Sequence, residues 1–298
     1  GCAQPVKNQA PAPVQAAEGL LKRNASVFGP ANEFIGSPFP DIGLSGLFSV
    51  HKKDNTHIAI LPNGDDSFAA RIQALKKADT SVRIQALVFT GDEAGLYIAE
   101  LLKQKKREGL DVRVIVDAFS NPALQTQRMF FDLKQNGIEV EGYEAMLLQW
   151  LNEVPIPHLM QHTEPGRMDK RFHEKMWLID AETNHGVAVV GGLNVANEYF
   201  RVNPSDADHF WRDQDVIVKG EVIKDMVTSF DRNFDYFLAI KKSRGIFNTN
   251  LYWDKTREVL DVSGKIKFTF QTDPRLDKKV RQMAEKKLRL DFHTARAR

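Results

Sequence analysis

The sequence predicts an α/β sandwich lobe, helices packed on a largely parallel or mixed sheet. Two observations carry this. From about Thr56 onward, short strand-like runs alternate with helical stretches of 12–15 residues. The runs at Val82–Phe89 and Val112–Val116 are rich in β-formers and mostly apolar, as strands covered on both faces are.

The elements follow in order. Ile58 to Leu61 reads as a short strand, closed by a turn at Pro62-Asn63-Gly64. Ser67 is placed to cap a helix in which Phe68, Ile72 and Leu75 recur at helical spacing. The Val82–Phe89 strand leads to a helix from Glu93 to Arg107, and Val112–Asp117 is the next strand. Lys103, Lys105, Lys106 and Arg107 read as a solvated helix end whose charge suits the helix dipole. Pro122–Gln135 is helical with Gly137 at its C-terminal cap, and Ile138–Val140 is a strand. A long Pro-containing connection, 143–171, has the length of a functional loop. Phe172–Asp180 and Val187–Val190 read as a hairpin, and Val216–Val218 as a further strand. Gly220 to Lys242 is an amphipathic helix, Lys265–Phe270 a strand, and Leu276–Leu290 a charged helix.

The 298 residues suit about two lobes. The division expected is a tether at 1–18, an irregular wrap at 19–55, a lobe at 56–245, and at 246–298 the start of a second lobe or a helical extension. With 42% hydrophobic and 27% charged residues the composition is globular, excluding wholesale disorder, collagen and coiled coil. A formal charge of +2 gives no strong field toward nucleic acid. No apolar run reaches the roughly 18 residues that span a bilayer. The single cysteine excludes an internal disulfide and a cysteine-built zinc site. His158, His162, His185 and His209 show no ligand spacing, so no metal site is expected.

Chemistry concentrates at Phe172-His173-Glu174-Lys175. Side chains two apart on a strand share a face, so His173 and Lys175 point the same way and Glu174 points oppositely. The return strand ends in Gly191-Gly192-Leu193-Asn194, which brings Asn194 back beside His173. The glycines leave room for a ligand against the backbone. An imidazole, an ammonium and an amide converging on one point suit a phosphodiester: one group attacks phosphorus and two hold its oxygens.

His173, Lys175, Asp180, Gly191, Gly192 and Asn194 together resemble the H-x-K…D…G-G-x-N pattern of the phospholipase D superfamily, in its cardiolipin synthase-like branch. Ile84-Gln85 with Phe89, Glu108–Asp117, Asn197-Glu198-Tyr199 and Trp211-Arg212-Asp213 match further segments of that family. Ten residues separate Asp180 from Gly191, about four more than in the pattern. The excess falls in the hairpin turn. Gly192 stands where many members have Ser, and the chain holds one H-x-K motif where family enzymes use two.

The resemblance implies a metal- and cofactor-independent phosphatidyl transfer or phosphodiester cleavage on phospholipids, through a phosphohistidine on His173. Lys175, Gly191, Gly192 and Asn194 then hold the phosphate. Asp213 orients His173, and Asp180 acts at the site or caps a turn. The rival readings are a phospholipase D-family nuclease, with nucleic acid not expected as a partner, and a non-catalytic membrane-tethered lobe. A second H-x-K lobe is expected as partner, either a missing C-terminal half or a second copy.

Gly1-Cys2 followed by a stretch rich in Pro, Ala and Gln resembles the start of a bacterial lipoprotein. It implies lipidation at Cys2 and a membrane-anchored place in the cell envelope, facing the periplasm or exterior. The absence of an initiator Met fits a chain that begins part-way through a precursor.

Overall fold

The computed structural model describes residues 55–143, 172–203, 205, 210–243 and 264–295. The chain divides into two compact units, 1–56 with 295–298, and His57–Thr294. In the first, the Ala295 amide donates to the Thr56 carbonyl at 2.9 Å. All that follows concerns the second. The tether at 1–18, most of the wrap at 19–55, and the connection 144–171 lie outside the described residues.

The strands are β1 (Thr56–Leu61), β2 (Ser81–Ala86), β3 (Asp111–Asp117), β4 (Glu139–Tyr143), β5 (Met176–Ile179), β6 (Val187–Gly191), β7 (Asp215–Gly220) and β8 (His293–Thr294). The helices are α1 (Gly64–Lys77), α2 (Glu93–Arg107), α3 (Leu124–Gln135), α4 (Asn197–Phe200), α5 (Val222–Ser243) and α6 (Pro274–Ala284). The strands form one sheet in the order β4-β3-β2-β5-β6-β7-β1-β8. β2, β3 and β4 run parallel, and β5, β6 and β7 continue from β2 as antiparallel neighbours. The sheet is therefore mixed.

Every residue of β2 is buried, because both faces are covered. Arg83 and Gln85 meet Asp231 and Asn233 of α5 on one face. Ile84 and its cross-strand partner Trp177 lie on the other, where Trp177 packs under Arg71 of α1. Phe68 of α1 tilts against Phe200 at 5.1 Å, and Phe89 meets Phe130 of α3 edge-on at 5.9 Å. The architecture is a helix–sheet–helix sandwich, as expected from the sequence.

Several local expectations change, each for a visible reason. Asn63, not Ser67, caps α1: its side chain accepts the Asp66 amide at 2.9 Å. Ser67 sits one turn inside, where its hydroxyl donates to Asp215. Lys103 and Lys105 are buried rather than solvated. Lys103 pairs with Asp132 of α3 at 2.5 Å, and Lys105 donates to the carbonyls of Lys76 and Ala78 at 2.9 Å, capping the end of α1. Gly137 does close α3, at φ +84, where a side chain would be strained.

The segment after 264 differs most. Lys265–Phe270 forms no strand. Its neighbours are glutamine side chains of α3, which act in place of a strand backbone. Gln135 accepts the Ile266 amide at 2.9 Å and donates to its carbonyl at 2.7 Å. Gln125 treats Gln271 the same way, at 2.9 and 3.0 Å. The following helix stops at Ala284 rather than Leu290. α6 packs on α1 and α2, with Val280, Met283 and Ala284 in the lobe's core. β8 then pairs with β1.

Candidate active site

The chain's candidate residues other than Asp180 and Cys2 gather at one end of the sheet. Met176, the first residue of β5, lies opposite Gln85 near the end of β2 and opposite Val190 near the end of β6. Gly191 in turn lies opposite Asp215 at the start of β7. Residues just before β5, just after β6 and just before β7 therefore share that end.

The expected strand at Phe172–Asp180 is shorter than its sequence suggests, because 172–175 run past the last ladder pairs. Side chains hold this extension instead. The buried Asp117 carboxylate accepts the Phe172 amide at 3.1 Å. Glu174 accepts from Gln85 at 2.8 Å and from Asn233 at 3.2 Å. Glu174 is thus turned toward α5. Lys175 and His173 still share a side: the Lys175 ammonium donates to the His173 carbonyl at 3.0 Å and lies 3.4 Å from its Nδ1. The imidazole is exposed and the ammonium half-buried.

Burial lowers the Lys175 pKa, while the charges of Asp213 and then Asp215 pull it back up. Chemistry that needs the ammonium is lost as pH rises through that lowered pKa. The alkaline limb of activity is therefore expected below the roughly 10.4 of an ordinary lysine. A pH–rate profile checks this, and a limb that persists in Lys175→Met assigns it elsewhere.

Asn194 is buried. Its carbonyl oxygen accepts the Val88 amide at 3.1 Å. It ties the turn after β6 to the loop after β2. Val195 continues the seam by pairing with Phe89. The glycines have a different cause from the one expected. The space above Gly191 is filled by Asp215 and that above Gly192 by the Asp213 carboxylate, so neither position has room for a Cβ. Asp213 accepts the Gln214 amide at 2.8 Å, and in this structure the His173 ring meets Lys175 rather than Asp213.

Asp180 lies apart from this cluster, at the other end of β5. It accepts the amides of Asp79, Thr80 and Ser81 and the Thr80 hydroxyl at 2.8–3.1 Å. That is the turn-capping alternative, and it keeps Asp180 away from His173 by the length of the strand. His185 stands near it, 3.4 Å from Asp79 and 3.7 Å from Asp180. This is the His–carboxylate group found among the described residues. It is remote from His173 and takes no part in the site.

Sequence reasoning missed Asp215, Arg71 and Ser67. Asp215 and Arg71 form a buried ion pair at 2.6 Å beneath the Gly191–Asn194 turn. Breaking such a pair leaves a buried charge, at a cost of about 3–5 kcal/mol. An arginine within an otherwise apolar helix face, four residues after a serine, was the available signal.

Comparison with known proteins adds the family. A family model described as cardiolipin synthase, PLD-like domain, matches residues 71–236, more than half of the chain. Cardiolipin synthase A of Pseudomonas fluorescens (strain SBW25) is 31% identical over 225 residues, 76% of this chain and 40% of that protein. Cardiolipin synthase of Halalkalibacterium halodurans is 31% identical over 180 residues, 60% of this chain and 32% of that protein. The chain thus spans 32–40% of the length of these relatives. The solved phosphatidylserine synthase of Haemophilus influenzae Rd KW20 is 16% identical, with a TM-score of 0.49 over 91% of this chain and 47% of that one. With the match extending from Arg71, through His173 and Lys175, to Tyr236, the chain belongs to the cardiolipin synthase, phospholipase D-like domain family.

Proposed function

We propose that this chain supplies one catalytic lobe of an enzyme that transfers or hydrolyses the phosphatidyl group of a phospholipid. The observation that carries the reading is the pairing of an exposed His173 imidazole with a half-buried Lys175 ammonium at the end of β5. Membership of the family supports it.

In the proposed reaction His173 attacks phosphorus through a ring nitrogen and the phosphorus–oxygen bond to the leaving alcohol breaks. That alcohol takes a proton from an acid supplied by a second H-x-K lobe. An incoming alcohol or water then attacks the phosphohistidine, giving its proton to the same group of the second lobe, and His173 leaves with its electron pair. Lys175 opposes the charge on the phosphoryl oxygens. The turn Gly191–Asn194 lines the same end of the sheet, and Asn194, whose carbonyl oxygen holds that turn, offers its N–H groups to the phosphoryl oxygens. Asp213 reaches His173 once substrate draws the ring toward the turn, since catalytic hydrogen bonds often tighten only in the complex. Asp180 belongs to the fold.

The test is turnover of phosphatidylglycerol vesicles and of duplex DNA at rising protein concentration. Lipid turnover by the monomer is expected to be nearly absent, because an absent general acid removes about 10²- to 10⁴-fold, and turnover that rises more steeply than concentration identifies a second copy as the other lobe. DNA cleavage without lipid turnover gives the nuclease reading. Full activity in a strict monomer, shown by sedimentation, contradicts the need for a second lobe.

The anchor is part of the proposal. No helix among the described residues is long and apolar enough to cross a membrane. Cys2 lies outside the described residues. Acylation there gives a firm hold when two or more chains are attached, and places the lobe in the bacterial envelope. Mass spectrometry of the membrane fraction is expected to find acylated Cys2 as the mature N-terminus. An unmodified Cys2 refutes the anchor and leaves the catalytic reading intact.

A further inference from the structure

We propose that Asp215, clamped from below by Arg71 and Ser67, is a positioning residue for the phosphoryl site: it fixes the Gly191–Asn194 turn against Lys175. This rests on the reading of that end of the sheet as a site for a phosphoryl group.

The clamp is built from three elements. Asp215 opens β7, opposite Gly191. One carboxylate oxygen receives the Arg71 guanidinium at 2.6 Å and the Ser67 hydroxyl. The other oxygen accepts the Leu193 amide at 3.3 Å, inside the turn itself. Arg71 and Ser67 are one helical turn apart on α1, so they face Asp215 together. The guanidinium is buried, 5.3 Å from the Trp177 ring and 5.7 Å from that of Phe200. Trp177 stands two residues after Lys175 on β5. One rigid pair thus touches β5, which follows directly on Lys175, β7, which begins with Asp215, and the turn that leads from β6 toward β7.

A sheet needs no such group to close a turn. A buried ion pair is a poor source of stability compared with apolar packing, and its best-attested use is to fix one arrangement over others. Here the arrangement fixed is that of the turn. Its carboxylate also fills the space above Gly191, so the turn cannot slide inward. The titratable groups around Lys175 are His173, Asp213 and Asp215. Removing one of the two carboxylates changes both the shape of the site and the charge that Lys175 feels.

The experiment uses the full chain and two readouts independent of turnover. Tungstate, a tetrahedral dianion, reports on the phosphoryl site by calorimetry. Trace acetylation across pH, mapped by peptide mass spectrometry, gives the titration midpoint of Lys175. Asp215→Asn keeps an acceptor for Leu193 but loses the charge. It is expected to make Lys175 more reactive near pH 8 by at least about threefold, and to weaken tungstate binding by a similar factor because the turn is no longer held, although the lost negative charge alone would strengthen it. If Asp215→Asn fails to fold, as thermal melting will tell, Ser67→Ala decides, because it loosens the clamp and leaves the ion pair. It is expected to weaken tungstate in the same direction. A folded variant that melts lower but keeps native tungstate affinity and native Lys175 titration overturns the inference, since a purely structural role predicts that pattern. Failure of the unaltered chain to bind tungstate instead counts against the phosphoryl site, and the Lys175 titration still tests the inference.

Discussion

His173→Ala is expected to abolish phosphoryl transfer in the proposed two-lobe enzyme, a loss of about 10⁴-fold or more, with the fold retained. The imidazole is exposed and makes its polar contacts with Lys175. Its removal therefore orphans no buried group. No neighbour can replace it: Glu174 is turned to Gln85 and Asn233, and Asn194 is an amide, not a nucleophile, whose carbonyl oxygen accepts from Val88. Lys175→Ala should lose about 10²- to 10³-fold, the scale of removing one group that opposes developing charge in a water-poor site. Acid-quenched trapping of labelled phosphoenzyme, followed by peptide mapping, is the measurement. Label on the peptide carrying His173 is expected. Label on the partner lobe's histidine instead reverses nucleophile and acid. Activity retained in His173→Ala, with no acid-labile adduct, removes the mechanism.

The layers and the site's end of the sheet were legible because they rest on local pattern. Runs of β-formers placed β2, β3 and β6, and the helical stretches placed α1, α2 and α5, within a few residues. The H-x-K pair kept its shared side even though the strand stops short, since one residue between two side chains sets their direction in any extended chain. What was not legible depends on partners far away in sequence. Asp213 and Asp215 look alike as letters. The fold gives Asp215 the buried guanidinium, 144 positions away, and leaves Asp213 exposed against Gly192. Glycines read as room for a ligand are filled by these two carboxylates. Lys103 and Lys105 look like a solvated helix end until Asp132 and the carbonyls of α1 are placed beside them. The Lys265–Phe270 run has strand-like alternation, yet the surface beside it is a helix, and Gln125 and Gln135 supply the hydrogen bonds that a strand would have found.

Asp180→Ala is expected to damage stability far more than chemistry. Asp180 sits at φ +50, an uncommon conformation for a residue with a side chain, and its carboxylate gathers three successive backbone amides and a hydroxyl from Asp79–Ser81. This joins the α1–β2 connection to the β5–β6 hairpin. Loss of the carboxylate strips those donors of their acceptor at a largely buried position, at about 1–3 kcal/mol for each group left unpaired. The total should approach the upper range seen for single substitutions, about 4 kcal/mol. Asp180→Asn keeps one acceptor oxygen and should fall between. Burial alone would raise the Asp180 pKa, but the hydrogen bonds from Thr80, Ser81 and Asp79 outweigh it and hold the pKa below the usual value. A carboxylate whose pKa is depressed on folding contributes stability that is present above its unfolded pKa, about 3.9, and is lost as pH falls through the lower folded value. Chemical denaturation of the native chain and of Asp180→Ala between neutral pH and about pH 3 is therefore expected to give curves that converge on acidification. A constant gap across that range would mean that Asp180 works through shape rather than charge. A native-like melt in Asp180→Ala, with turnover lost, would return Asp180 to the active site.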